Sequence, residues 1–261
     1  VVIDLSDKTL KVRSIPAKDG KGLTTTSQLA KQHGALVAIN GGFFTFRPDT
    51  AQSGLSSVSL LGSGGRLIAP DQVPLFRKDK QGWSRALYPT RGAFGLRRRR
   101  PDIAWAHASE GQVWQYASPN PVSDSLGQPR PTAKTPTRRK RWRMDELAGG
   151  GPVLVYDGKK RITDREELFT GNMAQLHPRT AVGYTRDCRL LWLVVDGRQA
   201  SSEGANFDDL AEIFLGLGAH EALNLDGGGS TTLVVNGQII NQPSDKTGER
   251  PVASVLVVGR E

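Results

Sequence analysis

The chain has 261 residues, is 37% hydrophobic and 23% charged, and carries 30 glycines and 15 prolines, which suits a globular protein with a proper core and many turns, hence many strands. Lys+Arg 35 against Asp+Glu 26 gives a net charge of +9, a balance open to nucleic acid, an anionic surface or an anionic substrate. One cysteine, Cys188, excludes an internal disulfide framework, four scattered histidines offer neither a thiol partner nor zinc spacing, and no apolar run reaches the length of a membrane-spanning helix.

In chain order, Val1–Leu5 reads as a short strand, so any signal peptide is absent from this sequence. Thr24–His33 predicts a helix with Thr26 as N-cap, Leu29 and Ala30 on one face and Gly34 at the end. Ala35–Ile39 is a buried apolar strand running into Asn40-Gly41-Gly42-Phe43-Phe44, where Asn40 is placed to hold a ligand and Gly41 and Gly42 to expose backbone N–H groups. An ordinary Asn-Gly turn is the plain alternative. Ser56–Ala69 reads as a hairpin, and Ala93–Leu96 and Ile103–Trp105 as short strands flanking Arg97–Arg100.

From about residue 118 to 143 the composition shifts to Pro, Ser, Thr and Arg, which predicts a long loop or insertion. The basic run Arg138–Arg143 within it interleaves a single aromatic, Trp142, so solvated loops are favoured and no nucleic-acid partner is expected. Gly149-Gly150-Gly151 then enters a strand, Asp157-Gly158 turns it, and Thr163–Phe169 reads as a short helix with acidic residues at its start. Arg179-Thr180 opens the next strand, and Arg189–Asp196 is strongly apolar and ends on Asp196-Gly197-Arg198. Asn206–Leu217 is the clearest helix, with Asn206 and Asp209 at capping-box spacing, Phe207, Leu210, Ala211, Phe214 and Leu217 on one face, and Gly218 beyond it.

The stretch Ala222–Val235 then delivers Asp226, followed by Gly227-Gly228-Gly229 and Ser230-Thr231-Thr232. Glycines let N–H groups turn toward a ligand, and a row of such groups is an anion nest. A Gly-rich turn with Asp226 as turn former is again the alternative. An Asn236-Gly237 hairpin and the strand Val252–Val258 close the chain.

A buried strand ending on a polar residue before glycine thus recurs at Asn40, Asp196 and Asp226, with Arg179-Thr180 where another strand begins. Two carboxylates suit glycoside hydrolysis, and an arginine with a nest suits a phosphate. Together they point to a substrate that is both a sugar and a phosphate ester.

The segments Ala38–Phe44, Gly149–Leu154, Arg179–Gly183, Leu193–Arg198, Ala222–Thr232 and Arg250–Ala253 resemble, in order, the phosphodiester glycosidase family. The resemblance implies hydrolysis of the bond between a sugar's anomeric carbon and a phosphate, in an exported or luminal setting. The Arg-rich middle, Arg97 to Arg143, departs from the pattern and leaves substrate choice open.

The expected fold is α+β, with a mixed central β-sheet or sheets and few helices in a single domain over residues 1–261. Asp196 and Asp226 are expected in the acid/base or nucleophile roles, and Arg179 with the amides of Gly227, Gly228 and Gly229 on the phosphate. Asn40, Gly41, Gly42, Thr180, Ser230 and Thr231 are expected around the rest of a small-molecule or glycan phosphodiester. No cofactor is required, although the oxygens of Asp196, Asp226 and Asn40 suit Mg²⁺ or Ca²⁺. The alternatives are a metal-dependent phosphodiesterase cutting P–O and a non-catalytic binder of anionic glycan.

Overall fold

A computed structural model describes residues 1–46, 56–71, 75–78, 84–122, 128–169 and 171–260. The first strands are β1 (Val2–Asp4), β2 (Leu10–Pro16), β3 (Val37–Asn40), β4 (Leu61–Ser63), β5 (Arg66–Ala69), β6 (Leu75–Lys78) and β7 (Ser84–Leu87). The middle of the chain adds β8 (Arg91–Arg97), β9 (Arg100–Ser109), β10 (Gln112–Tyr116), β11 (Lys140–Arg141), β12 (Glu146–Gly149), β13 (Val153–Tyr156) and β14 (Lys159–Lys160). The remainder supplies β15 (Arg179–Thr185), β16 (Arg189–Val195), β17 (Ala219–Asn224), β18 (Leu233–Val235), β19 (Gln238–Ile239) and β20 (Ser254–Arg260). The α-helices are α1 (Thr26–Gln32) and α2 (Phe207–Gly216).

The fold is α+β, as expected, with far more strand than helix. A six-stranded sheet runs β1-β16-β15-β17-β13-β14, a seven-stranded sheet β11-β10-β9-β8-β12-β4-β5 and a five-stranded sheet β19-β18-β3-β20-β2, with β6-β7 as a separate hairpin. Neighbouring strands are antiparallel, Arg179 facing Val195 and Ala181 facing Asn224 around β15.

Side-chain alternation along each strand decides what lies between the sheets. Val182 and Tyr184 of β15, Phe94 and Leu96 of β8, Ile103 and Trp105 of β9, and Leu256 and Val258 of β20 meet in one shared core. The other face of the six-stranded sheet receives α2 through Phe207, Leu210, Ala211 and Phe214. Helix α1 covers the five-stranded sheet through Leu29 and Ala30, against Val255 and Val257. The capping box of α2 forms as its spacing predicts, the Asn206 side chain accepting from Asp209 N–H while the Asp209 carboxylate accepts from Asn206 N–H.

Three buried glutamates tie the sheets together. Glu221 on β17 accepts from Ile103 N–H of β9 at 2.9 Å and from the Tyr184 hydroxyl at 2.6 Å. Glu167 accepts from Gly92 N–H, Val153 N–H and the Thr163 hydroxyl. Glu146 on β12 accepts from Ser14 N–H of β2 at 2.8 Å.

These contacts explain where the sequence expectations fail. Thr163–Phe169 is not a helix but a series of turns, with Leu168 at φ 60 and the Glu167 carboxylate drawn inward to Gly92 N–H, Val153 N–H, the Thr163 hydroxyl and Trp105 Nε1. Helix α1 is capped by Thr25, which accepts from Gln28 N–H, and Thr26 is buried inside it. Strand β2 is not expected from the sequence because its alternation breaks at Ser14, whose backbone is held by Glu146. Within the 118–143 segment, residues 123–127 lie outside the described residues. Buried Asn120, bonded to Thr90 and Tyr88, and buried Gln128, bonded to Glu166, hold the flanks against the body.

Burial raises the Glu167 and Glu221 carboxyls from the ordinary 4.5 to about 7, against the hydrogen bonds that favour their ionised forms. A raised folded-state value means that the folded chain holds more protons than the unfolded one between those limits, so stability falls as pH rises from 4.5 to about 7. Glu221→Gln should flatten that decline by up to about 3 kcal/mol, read from melting curves across the window. An unchanged pH profile would mean that Glu221 does not titrate there.

Candidate active site

Strands β16 and β17 both run antiparallel to β15 and therefore end at the same edge of the sheet, where Arg179 begins β15 between them. Two strand spacings separate their backbones there, about 10 Å. Asp196 and Asp226 follow directly at that edge, as expected of strands ending at Val195 and Asn224. Their carboxylates have different surroundings. Asp196 accepts from Gln242 N–H at 3.1 Å and Asn241 Nδ2 at 2.9 Å, holding the 241–242 segment, and it does not line the neighbouring cleft.

That cleft, about 310 Å³ in volume, is walled by Asp226 and Gly227–Gly229, with Phe43, His177, Arg179, Arg198 and Arg250 facing them. Among the described residues Asp226 is the one carboxylate in its wall. Desolvation raises the Asp226 carboxyl to about 6, while the nearby Ser230 hydroxyl, Gly227 N–H and Arg250 charge pull it back down. Its backbone is fixed on both sides, the N–H donating to Gly41 O at 3.2 Å and the carbonyl accepting from Asn40 Nδ2 at 2.7 Å.

Asn40 is thus a buried brace behind the cleft rather than a group facing it. Its Oδ1 accepts from the Thr180 hydroxyl at 2.7 Å and Thr232 N–H at 3.2 Å, joining β15, the Asp226 turn and the approach to β18. Thr180 is spent on the same brace. Gly41 and Gly42 serve close packing: a Cβ on Gly41 would sit 2.3 Å from Ser254 Oγ, and one on Gly42 2.0 Å from Gly149 O. Gly41 N–H donates to Ser254 O, so it is not open to a ligand.

The glycine run is partly closed as well. Gly228 N–H donates to Pro178 O at 2.8 Å, and Ser230 and Thr231 N–H close a 3-10 turn onto Gly227 O and Gly228 O. The turn thus takes the amides of Ser230 and Thr231, and Pro178 takes that of Gly228. The glycines instead allow close approach. Gly228 has φ +61 and a Cβ there would meet the Arg198 guanidinium at 3.2 Å, while one on Gly229 would strike the Asp245–Arg250 ion pair. Ser230 and Thr231 are buried beneath this turn.

Positive charge in the cleft therefore comes from side chains. Arg179 is buried and donates to Ala205 O at 2.9 Å and to Met173 O and Gln175 O at 2.7 Å, over the Phe207 ring. Burial, with Arg198 adding to it, lowers its pKa to about 10, which leaves it charged at neutral pH. Arg250 is forked onto Asp245 at 2.7 and 2.9 Å. Arg198 is exposed and lies 3.3 Å from His177 Nδ1. His177 Nε2 donates to Asn172 O at 2.6 Å, which leaves Nδ1 as the acceptor facing Arg198.

Sequence reasoning did not single out Arg198, His177, Arg250 or Phe43 as site residues. A signal existed for the first, since Arg198 stands directly after Asp196-Gly197 at a strand end. Among the described residues no group of three or more His, Cys, Asp or Glu is placed to hold a metal ion. The three oxygen donors considered for Mg²⁺ or Ca²⁺ face separate partners, with Asn40 Oδ1 and the Asp196 carboxylate already engaged.

A family model for phosphodiester glycosidases matches residues 33–259. The bovine (Bos taurus) N-acetylglucosamine-1-phosphodiester alpha-N-acetylglucosaminidase is 29% identical over 235 residues, covering 86% of this chain and 36% of that protein. The chain thus spans little more than a third of that relative's length. The structure is similar to a hypothetical protein from Synechocystis, with TM-score 0.70 and 17% identity over 100% of this chain and 58% of the other. It is also similar to the pro-peptide-inhibited catalytic domain of the zebrafish N-acetylglucosamine-1-phosphodiester enzyme, with TM-score 0.63 and 22% identity over 97% of this chain and 73% of the other. At these identities the two structures speak for the fold.

Proposed function

Since the chain belongs to the phosphodiester glycosidase family, we propose that it hydrolyses the bond between the anomeric carbon of a sugar and the oxygen of a phosphodiester, with Asp226 at the reacting centre. The observation that carries the reading is that, among the described residues, one carboxylate, Asp226, faces arginines in one cleft. A glycosidase with an alcohol leaving group needs one carboxyl to protonate it and another to attack or to activate water. A phosphate leaving group is stable as an anion and needs charge stabilisation more than a proton. One carboxylate with arginines therefore matches a sugar phosphate better than a simple glycoside.

In this reading Asp226, ionised above about pH 6, attacks the anomeric carbon or takes the proton of the attacking water. Arg198 receives the departing phosphate, and Arg179 adds its field from beneath while holding the 173–175 turn. His177 orients the Arg198 guanidinium. Phe43 offers an apolar wall for a sugar ring. Asp196 holds the 241–242 segment beside the cleft.

Hydrolysis in heavy-oxygen water tests the bond that breaks. Label in the sugar is expected, and label in the phosphate would favour a metal-dependent phosphodiesterase. Arg198→Ala should lower kcat/KM on a small sugar-1-phosphodiester by about a hundredfold, the scale of losing one stabiliser of developing negative charge. A loss below threefold would remove Arg198 from the phosphate site. An exported or luminal setting belongs to the same proposal and rests on the family resemblance; among the described residues no helix is long and apolar enough to cross a membrane. Fractionation of cells producing the natural protein tests it.

A further inference from the structure

Arginines of the two basic runs, Arg97–Arg100 and Arg138–Arg143, come together. Strand β8 brings Arg97, β5 brings Arg66, and the segment through β11 brings Arg141 and Arg143, all to one cleft of about 380 Å³. It shares no lining residue with the Asp226 cleft.

All four side chains are exposed, and among the described residues none has an ion-pair or hydrogen-bond partner. Elsewhere the surface cations Lys160, Arg186 and Arg189 do have carboxylate partners. Other arginines in the same runs are committed to structure. Arg99 donates to Leu5 O and Leu10 O at 2.7 Å, and Arg139 stacks over the Trp114 ring at 3.6 Å. Of the runs, Arg97, Arg141 and Arg143 are left facing this cleft, where Arg66 joins them. One carboxylate, Asp145, lines the cleft, and it accepts from Arg98 N–H at 2.9 Å. A neighbouring cleft of about 430 Å³ with Lys8 and Arg98 also reaches Asp145, so the basic surface runs on past a single phosphate.

We propose that Arg66, Arg97, Arg141 and Arg143 form a second anion site that holds the backbone of a phosphodiester-linked sugar or polyol polymer. The proposal rests on the reading of the Asp226 cleft as a site for sugar phosphodiesters and adds that the substrate is a chain, gripped at phosphates other than the one being cleaved. Guanidinium groups suit phosphate through paired N–H donors. The tryptophans nearby are not placed to read bases. Trp142 is buried with Nε1 on Asp102, and Trp114 is covered by Arg139, so neither ring is free to stack.

The test measures binding of a short poly(glycerol phosphate) to the intact chain and to the R66S/R97S/R141S/R143S variant over a range of salt. The variant should lose about a hundredfold in affinity at low salt, and its log–log salt slope should flatten by about three. Its melting temperature and its turnover of a small sugar-1-phosphodiester should match the parent. Should the fourfold variant fold poorly, R66S/R97S and R141S/R143S are each expected to lose part of the affinity. Unchanged polymer binding in the variants overturns the proposal. So does single-stranded DNA of equal charge binding more tightly than the polymer, because bases would then be recognised. Binding is read without turnover, so an absence of hydrolysis refutes the earlier reading separately.

Discussion

Asp226→Asn is expected to lower turnover of a small sugar-1-phosphodiester by about 10²- to 10⁴-fold, with the melting temperature held or raised. The change keeps the shape of the side chain and removes an ionisable group whose desolvation already lifts its pKa to about 6. Asp196→Asn should cost about tenfold or less, since among the described residues that carboxylate accepts from Gln242 and Asn241 and an amide retains one acceptor oxygen. The pH profile separates the roles open to Asp226. As nucleophile or base it works ionised, so kcat/KM should rise as pH increases through about 6. A falling limb there would assign it the acid role instead. Equal losses at both positions would restore the two-carboxylate scheme, and full activity in Asp226→Asn would remove the cleft from the chemistry.

Gly42→Ala should destabilise the chain by about 3 kcal/mol, near the upper end of ordinary overpacking. The added Cβ would lie 2.0 Å from Gly149 O and 3.0 Å from Ser59 Cβ, and the first of these is backbone that cannot rotate aside. Gly149 ends β12 of the seven-stranded sheet and Gly42 follows β3 of the five-stranded sheet, so relief requires moving one sheet from the other. A fall in melting temperature of roughly 10 °C is the readout. Gly216→Ala serves as the comparison. It sits at the end of α2, where a Cβ meets nothing within 4 Å, and alanine there should be neutral or stabilising. Comparable losses at the two glycines would mean that the sheet contact yields more easily than its geometry implies.

The elements legible in the sequence are those whose cause is local. The α2 capping box, the Asn236-Gly237 turn and the apolar strand ending at Val195 are written in neighbouring residues. Asp196 and Asp226 each close an apolar strand before a glycine, which hints at a common edge; the position of β15 between their two strands, a long-range pairing, is what brings them there. Other features depended on partners distant in the chain. Whether Gly228 N–H is open depends on Pro178 O, and whether Asn40 faces a ligand depends on Thr180 and Thr232. The Glu167 carboxylate overrides a helix-like acidic segment through Gly92 on β8. The arginine runs read as plain solvated charge because nothing in their order reveals that Arg66 joins Arg97, Arg141 and Arg143.

Strand β20 lies in the interior of its sheet, between β3 and β2, and Leu10 pairs with Arg260. During synthesis the ribosome therefore releases β2 and β3 long before the strand that joins them. Until residues 254–260 emerge, Val12 and Ile39 lack their neighbours Val258 and Leu256, and the sheet cannot close. Pairings this far apart carry a large loop-closure cost and fold slowly. The five-stranded sheet is therefore completed only when residues 254–260 are available to pair with both β2 and β3.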